Sequence, residues 1–137
     1  MFSLVSEHFN LNIGFDSDPN NIKEDLSRKN IEFSEDSNTI GLLVYDLFER
    51  YVEENIVTPT FVTDYPVEVS PFARNNKNSP NVTERFELFA FGSELANGFS
   101  ELIDPIEQEA RLKSQAQKKE QGDEEAHVDD MDYSEAL

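Results

Sequence analysis

Residues 86–101 read FELFAFGSELANGFSE, and in them Glu87, Glu94 and Glu101 recur at a spacing of seven. Seven is a heptad spacing, but the segment is set with phenylalanines, Gly92 and Gly98 rather than strong helix formers. It reads instead as a hairpin, with ERFELFAFG and SELANGFSEL as strands about a Gly92-Ser93 turn. That turn predicts the pairs Phe91–Glu94, Phe89–Ala96 and Glu87–Gly98. Opposed residues share a face, and so do alternate residues along one strand. Glu87 and Glu94 therefore fall on one surface, beside the small Ala96 and Gly98. Strict alternation sends Asn97 and Glu101 to the other face. They reach the same pocket only through a bulge in Ala96-Asn97-Gly98, which a glycine there permits.

Two carboxylates beside a vacancy suit a hard divalent cation such as Mg²⁺, which takes one or two protein carboxylates and completes its shell with water and phosphate oxygens. A carboxylate isolated in a closed pocket would equally hold a ligand ammonium, since a buried charge needs a partner. A second reading stays open: acids alternating with apolar residues also form the wet face of a half-buried strand. Phe86, Phe89, Phe91 and Phe99 read as core. The two histidines, His8 and His127, stand apart from other ligand types and read as solvent-facing or incidental. No Ser-His-Asp pattern, P-loop or G-x-G-x-x-G is present, so those reaction classes have no support.

Upstream of the hairpin, Phe2, Val5 and Phe9 predict a short helix ending near Asn10. Asp18-Pro19 reads as an N-cap with proline at the first helical position, starting a helix to about Arg28 with Ile22 and Leu26 inward. The clearest helix runs from about Asn38 to Glu53: Ile40, Leu43, Val44, Leu47 and Tyr51 share one face, Phe48 widens it, and Ser37 or Asn38 can cap it. TPTFVTDYPVEVSPF reads as irregular or edge strand broken by Pro59, Pro66 and Pro71, with Phe61 and alternating Val67 and Val69 packing on a sheet. RNNKNSPNVT reads as a polar loop. Downstream, Asp104-Pro105-Ile106-Glu107 is a capping box for a mostly polar, surface-lying helix EQEARLKSQAQKKEQ. GDEEAHVDD then reads as a loop and MDYSEAL as the start of another helix. The organisation is a helical region over 1–57, strands and hairpin over 58–103, and a helical, acidic segment over 104–137, an α+β fold.

The 137 residues carry a formal net charge of -18, against the basic patch of a stand-alone nucleic-acid binder. There is no cysteine, hence no disulfide framework and no thiolate metal site. No apolar run approaches the roughly 18 residues of a membrane helix, and MFSLVSEHF lacks the basic-then-apolar pattern of a signal peptide.

PTFVTDYPVEVSPFAR, VTERFELFAFGSELANGFSELIDPIEQEAR, the GDEEA stretch and MDYSEAL together closely resemble the class II lysyl-tRNA synthetases, from about Thr58 to the C-terminus. The earlier region fits the family's order of elements more loosely. The resemblance implies part of the family's antiparallel-sheet catalytic domain with flanking helices, in a cytoplasmic enzyme. It implies ATP-dependent activation of L-lysine to lysyl-adenylate, transfer to tRNA(Lys), Mg²⁺ with the ATP, and a homodimer. It assigns Glu87 and Glu94 to the Mg²⁺ and Asn97 and Glu101 to lysine, with Glu101 pairing with the ε-ammonium. Ser70 and Arg74 lie in a family signature but receive no role.

The sequence departs from the pattern in lacking the three class signature motifs, two of which supply arginines that grip ATP and the amino acid. The resemblance therefore implies a catalytic-domain fragment between the second and third motifs, inactive alone. The alternative is a non-catalytic, lysine- or metal-binding regulatory derivative of the same fold.

Overall fold

The computed structural model describes residues 1–120. The loop GDEEAHVDD, with His127, and the helix expected at MDYSEAL lie outside the described residues. The first helix, α1 (Phe2–Phe9), buries Phe2, Val5 and Phe9 and ends where Asn10 turns left-handed at φ 51°. The next, α2 (Pro19–Arg28), starts as its sequence predicts: Asp18 accepts from the Asn20 N–H, and Ile22 and Leu26 are buried. In α3 (Ile40–Leu47) the cap is Thr39, whose hydroxyl accepts from the Leu42 N–H at 3.3 Å. That corrects the expected Ser37 or Asn38.

The expected helix to Glu53 also changes character. After Leu47 it widens into a π-helical turn, Phe48–Val52, then tightens to a 3₁₀ turn, Glu53–Asn55. The wider turn leaves Phe48 and Val52 both buried. Phe48 meets Phe89 edge to face, with centroids 5.6 Å apart. Tyr51 reaches the rim, meeting Phe9 edge to face and donating its hydroxyl to the Glu32 carbonyl at 3.0 Å.

The sheet is antiparallel, in the order β1 (Thr60–Val62), β4 (Arg85–Ala90), β5 (Ser93–Phe99). The expected polar loop 74–83 is instead a second small hairpin, of β2 (Asn75–Asn76) and β3 (Ser79–Thr83). Polar composition concealed it: only Val82 and Thr83 of β3 are buried. Phe61 and the two valines behave differently from expectation too. Val67–Val69 is a 3₁₀ turn, not an alternating strand, and Phe61 is 64% exposed, touching Phe86 edge to face.

Val62 and Phe89 lie on one face of the sheet and join the core of α1, α2 and α3. That core is one cluster running from Phe2 through Leu43, Val44, Leu47 and Phe48 to Tyr65 and Phe89. The last helix, α4 (Pro105–Glu120), is capped by Asp104, which accepts from the N–H groups of Ile106 and Glu107. It is not merely surface-lying. Gln108 and Leu112 are buried, and its polar side chains dock on the carbonyls of the 68–73 loop. Among the described residues no helix is long and apolar enough to cross a membrane.

Candidate functional site

The register of the β4–β5 hairpin decides what the site contains. The turn is Phe91-Gly92, one residue before the expected Gly92-Ser93, and both residues have positive φ, 56° and 71°. Ala90 pairs with Ser93 and Phe89 with Glu94; the register then shifts, and Leu88 pairs with Ala96, Glu87 with Asn97 and Phe86 with Gly98. Leu95 is thus the extra residue of a bulge. Two features therefore change strand parity, the turn and the bulge, and together they gather Glu87, Phe89, Glu94 and Asn97 on one face. Continuing the alternation past Phe99 carries Glu101 to that side as well, where its backbone pairs with Ala73.

Two expectations change with this register. Asn97 joins Glu87 and Glu94, through a bulge one residue earlier than foreseen. Ala96 and Gly98 move to the opposite face, so they cannot leave room above the carboxylates. Gly98 lies beneath the Phe86 ring instead: a Cβ there would come within 2.7 Å of Phe86 Cζ.

Glu87 is 7% exposed, and each of its carboxylate oxygens accepts one hydrogen bond. The Tyr65 hydroxyl donates to its Oε2 at 2.6 Å, and the Arg85 guanidinium donates to its Oε1 at 2.5 Å. Burial, then the hydrogen bond to Glu87, pushes the Tyr65 phenol well above its ordinary range, so it stays protonated and serves as a donor. Arg85 lies over the Tyr65 ring, 4.5 Å from the centroid. Its other nitrogens reach the Val69 carbonyl (2.9 Å), Ser70 Oγ (3.0 Å) and Asn97 Oδ1 (3.3 Å).

Glu94 is exposed by surface area, yet packing still strips some water from its carboxyl. Its pKa is raised by that desolvation first and by the Glu87 charge second, against a lowering from Arg85. Glu53 is raised for the same kinds of reason: desolvation, then Glu49, Glu87 and Glu94. The face is electronegative beyond what Arg85 offsets, which fits a site for a cation. Among the described residues no cluster of three or more His, Cys, Asp or Glu side chains is arranged to hold a metal. A cation here would draw on at most a pair of carboxylates and on oxygens from elsewhere, the donor set that suits Mg²⁺ on a phosphate ligand.

Over residues 6–137 the chain matches the family described as tRNA synthetases class II (D, K and N). The chain belongs to the class II tRNA synthetase family. Among its curated relatives, the lysine–tRNA ligase of Prochlorococcus marinus (strain MIT 9515) is 45% identical over 138 residues, covering 100% of this chain and 27% of the relative. The lysine–tRNA ligase of Helicobacter pylori (strain Shi470) is 54% identical over 99 residues, 72% of this chain and 20% of the relative. The chain thus spans about a quarter of the length of these relatives.

Within this class II synthetase chain, sequence reasoning missed Arg85 and Tyr65. Arg85 is two residues before Glu87, so on one strand it shares that face, a signal available from alternation alone. Tyr65 lies 22 positions from Glu87 in sequence, and the β1–β4 pairing, the Pro66–Val82 bridge and the Thr83 bonds to its carbonyl bring it close. Ser70, which carried no assigned role, is buried and bonded to Arg85, whereas Arg74 pairs at the surface with Glu84 at 2.7 Å.

Proposed function

We propose that this chain is part of a lysine–tRNA ligase, supplying the carboxylates that hold Mg²⁺ on ATP and the pocket that selects lysine. Glu87 and Glu94 are the metal carboxylates; Asn97 and Glu101 serve the lysine side. The observation that carries this is the common face on which turn and bulge gather Glu87, Glu94 and Asn97. The lysine–tRNA ligase names of its relatives support the choice of substrate.

In this reading Glu87 is held rigid by Tyr65 and Arg85, so its carboxylate needs little reorganisation to receive a charge. Glu94, pressed by desolvation and by Glu87, would be relieved by a bound cation's charge. Mg²⁺, when bound, would neutralise phosphate charge and draw electron density from the phosphorus that the lysine carboxylate attacks. Glu101 pairs with the lysine ε-ammonium, and a neutral side chain is rejected because it would leave that carboxylate without its countercharge. ATP, L-lysine and tRNA(Lys) are the partners of the complete enzyme, a cytoplasmic homodimer.

The chain alone is expected to be inactive. Arg28, Arg50, Arg74, Arg85 and Arg111 are all the arginines of the sequence, and each is ion-paired with a carboxylate of its own. The arginines of the class signature motifs, which would grip ATP, are not among them. Lysine-dependent ATP–pyrophosphate exchange tests this directly: the isolated chain should give none, and robust exchange would overturn the reading. In the complete ligase, Glu101→Gln should raise KM for lysine about 10-fold or more with little change for ATP, since a lost charged hydrogen bond is worth about 1.5–3 kcal/mol. Glu94→Ala should instead raise the Mg²⁺ requirement. Equal losses for lysine and ATP in the first variant, or an unchanged Mg²⁺ profile in the second, would sink the assignment.

A further inference from the structure

Arg85 is the one group among the described residues that bonds both Glu87 and Asn97. Each nitrogen of its guanidinium is engaged. One terminal nitrogen holds Glu87 Oε1, the other holds the Val69 carbonyl and Ser70 Oγ, and Nε faces Asn97 Oδ1. The plane is fixed from below by the Tyr65 ring at 4.5 Å, and the side chain is only 16% exposed. A planar fork with every nitrogen engaged has one orientation, which a lysine ammonium on a flexible stem cannot reproduce.

The anchor of that fork is itself anchored. Val69 and Ser70 belong to the 68–73 loop, which α4 grips from the far side. Gln115 donates to the Glu68 carbonyl (3.0 Å), Gln108 to the Pro71 carbonyl (3.1 Å), and Arg111 to the carbonyls of Ser70 (3.3 Å) and Ala73 (2.6 Å). A path of direct bonds therefore runs from α4 through the loop to Arg85, and from Arg85 divides to Glu87 and to Asn97.

We propose that Arg85 is the positioning residue that joins the two halves of the site, fixing Glu87 on the metal side and Asn97 on the lysine side with one guanidinium. This rests on the functional reading above. Arg85 touches neither substrate nor metal in this role; it sets the spacing between the groups that do. Its loss weakens both ligands together. Tyr65 differs, since its hydroxyl bonds Glu87 and not Asn97.

The test uses the full-length ligase in which this segment resides. Arg85→Lys, Ser70→Ala and Tyr65→Phe are compared for lysine KM, for half-saturating Mg²⁺ and for thermal stability. Arg85→Lys is expected to raise both lysine KM and the Mg²⁺ requirement by about 10-fold or more, the usual effect of removing a partner that orients a metal ligand. Ser70→Ala removes one anchor of the fork and should shift both parameters the same way by about 2- to 10-fold; it carries the test if Arg85→Lys does not fold. Tyr65→Phe should raise the Mg²⁺ requirement while lysine KM stays put.

Glu87→Gln and Asn97→Ala are run beside them. If each impairs its own ligand while Arg85→Lys and Ser70→Ala move only one parameter or neither, the joining role is wrong and the site reading survives. If Glu87→Gln and Asn97→Ala move neither Mg²⁺ nor lysine, the site reading falls and the role of Arg85 falls with it.

Discussion

Phe91 is held at φ 56° with its ring 80% exposed, a costly conformation for a bulky residue that buries so little. It is tolerated because its N–H and that of Gly92 bond the carbonyls of Val57 and Ile56 at 2.8 and 2.9 Å, pinning the hairpin tip to the preceding loop. Gly92 has no alternative: besides φ 71°, a Cβ there would lie 2.8 Å from the Glu54 carbonyl oxygen. Phe91→Asn, which creates the favoured Asn-Gly turn, should stabilise the chain by about 1 kcal/mol. Gly92→Ala should destabilise it by about 1–3 kcal/mol. Urea unfolding of the two variants checks both signs. At this scale the shared face of Glu87 and Glu94 was legible from the hairpin pattern, and the turn was misread by one residue. An aromatic at positive φ runs against local preference, so only the tertiary contact with Ile56 and Val57 could reveal it.

Among the elements, α4 shows how a polar helix can be structural. Gln108, Arg111 and Gln115 form its buried-facing stripe, and they satisfy loop carbonyls that no strand reaches. Sequence periodicity looks for apolar stripes, so a stripe of donors reads as solvent-facing; Leu112 was the sole apolar hint. The helices α1 and α2 were legible because Phe2, Val5, Phe9, Asp18 and Pro19 are local signals that tertiary packing did not override. The π turn at Phe48–Val52 was not, since nothing in FERYV marks it. Arg111→Met removes the donor to the Ala73 carbonyl, while the Ser70 carbonyl keeps the Ala73 N–H, and an unsatisfied buried acceptor costs about 1–3 kcal/mol. We expect a loss of about 1–3 kcal/mol in urea unfolding, with faster amide exchange across 68–75.

Across the whole molecule, charge dominates: -18 on 137 residues opposes compaction at neutral pH. Glu53 and Glu94 add a defined part of that. Both have folded pKa values raised above the ordinary glutamate range by desolvation and neighbouring carboxylates. A raised acid binds protons more readily when folded, so its contribution is fully present below the unfolded pKa and is lost as pH rises through the folded one. Melting temperature should therefore climb as pH falls from 7 toward about 5, still above the unfolded glutamate pKa of about 4.3. Glu53→Gln and Glu94→Gln should flatten that slope and raise the melting temperature at pH 7. A slope unchanged in the double variant would show that these two carboxyls are not its source. The α+β class and the hairpin were legible at this scale. The Arg85 network was not, because Tyr65 is placed by its pairing with the Val82-Thr83 strand end and Val69 and Ser70 come from a loop gripped by α4.

The bulge at Leu95 gives the hairpin one codon of slack. Deleting that residue would leave a regular ladder in which Phe89 still meets Glu94, Leu88 still meets Ala96 and Glu87 still meets Asn97. The smallest in-frame loss is thus absorbed at one place. The same deletion within β4, between Glu87 and Phe89, has no spare residue to draw on and turns Glu87 away from Glu94. Tolerance to length change in this segment is set by the arithmetic of odd and even, and the two strands of one hairpin carry opposite sensitivities to it.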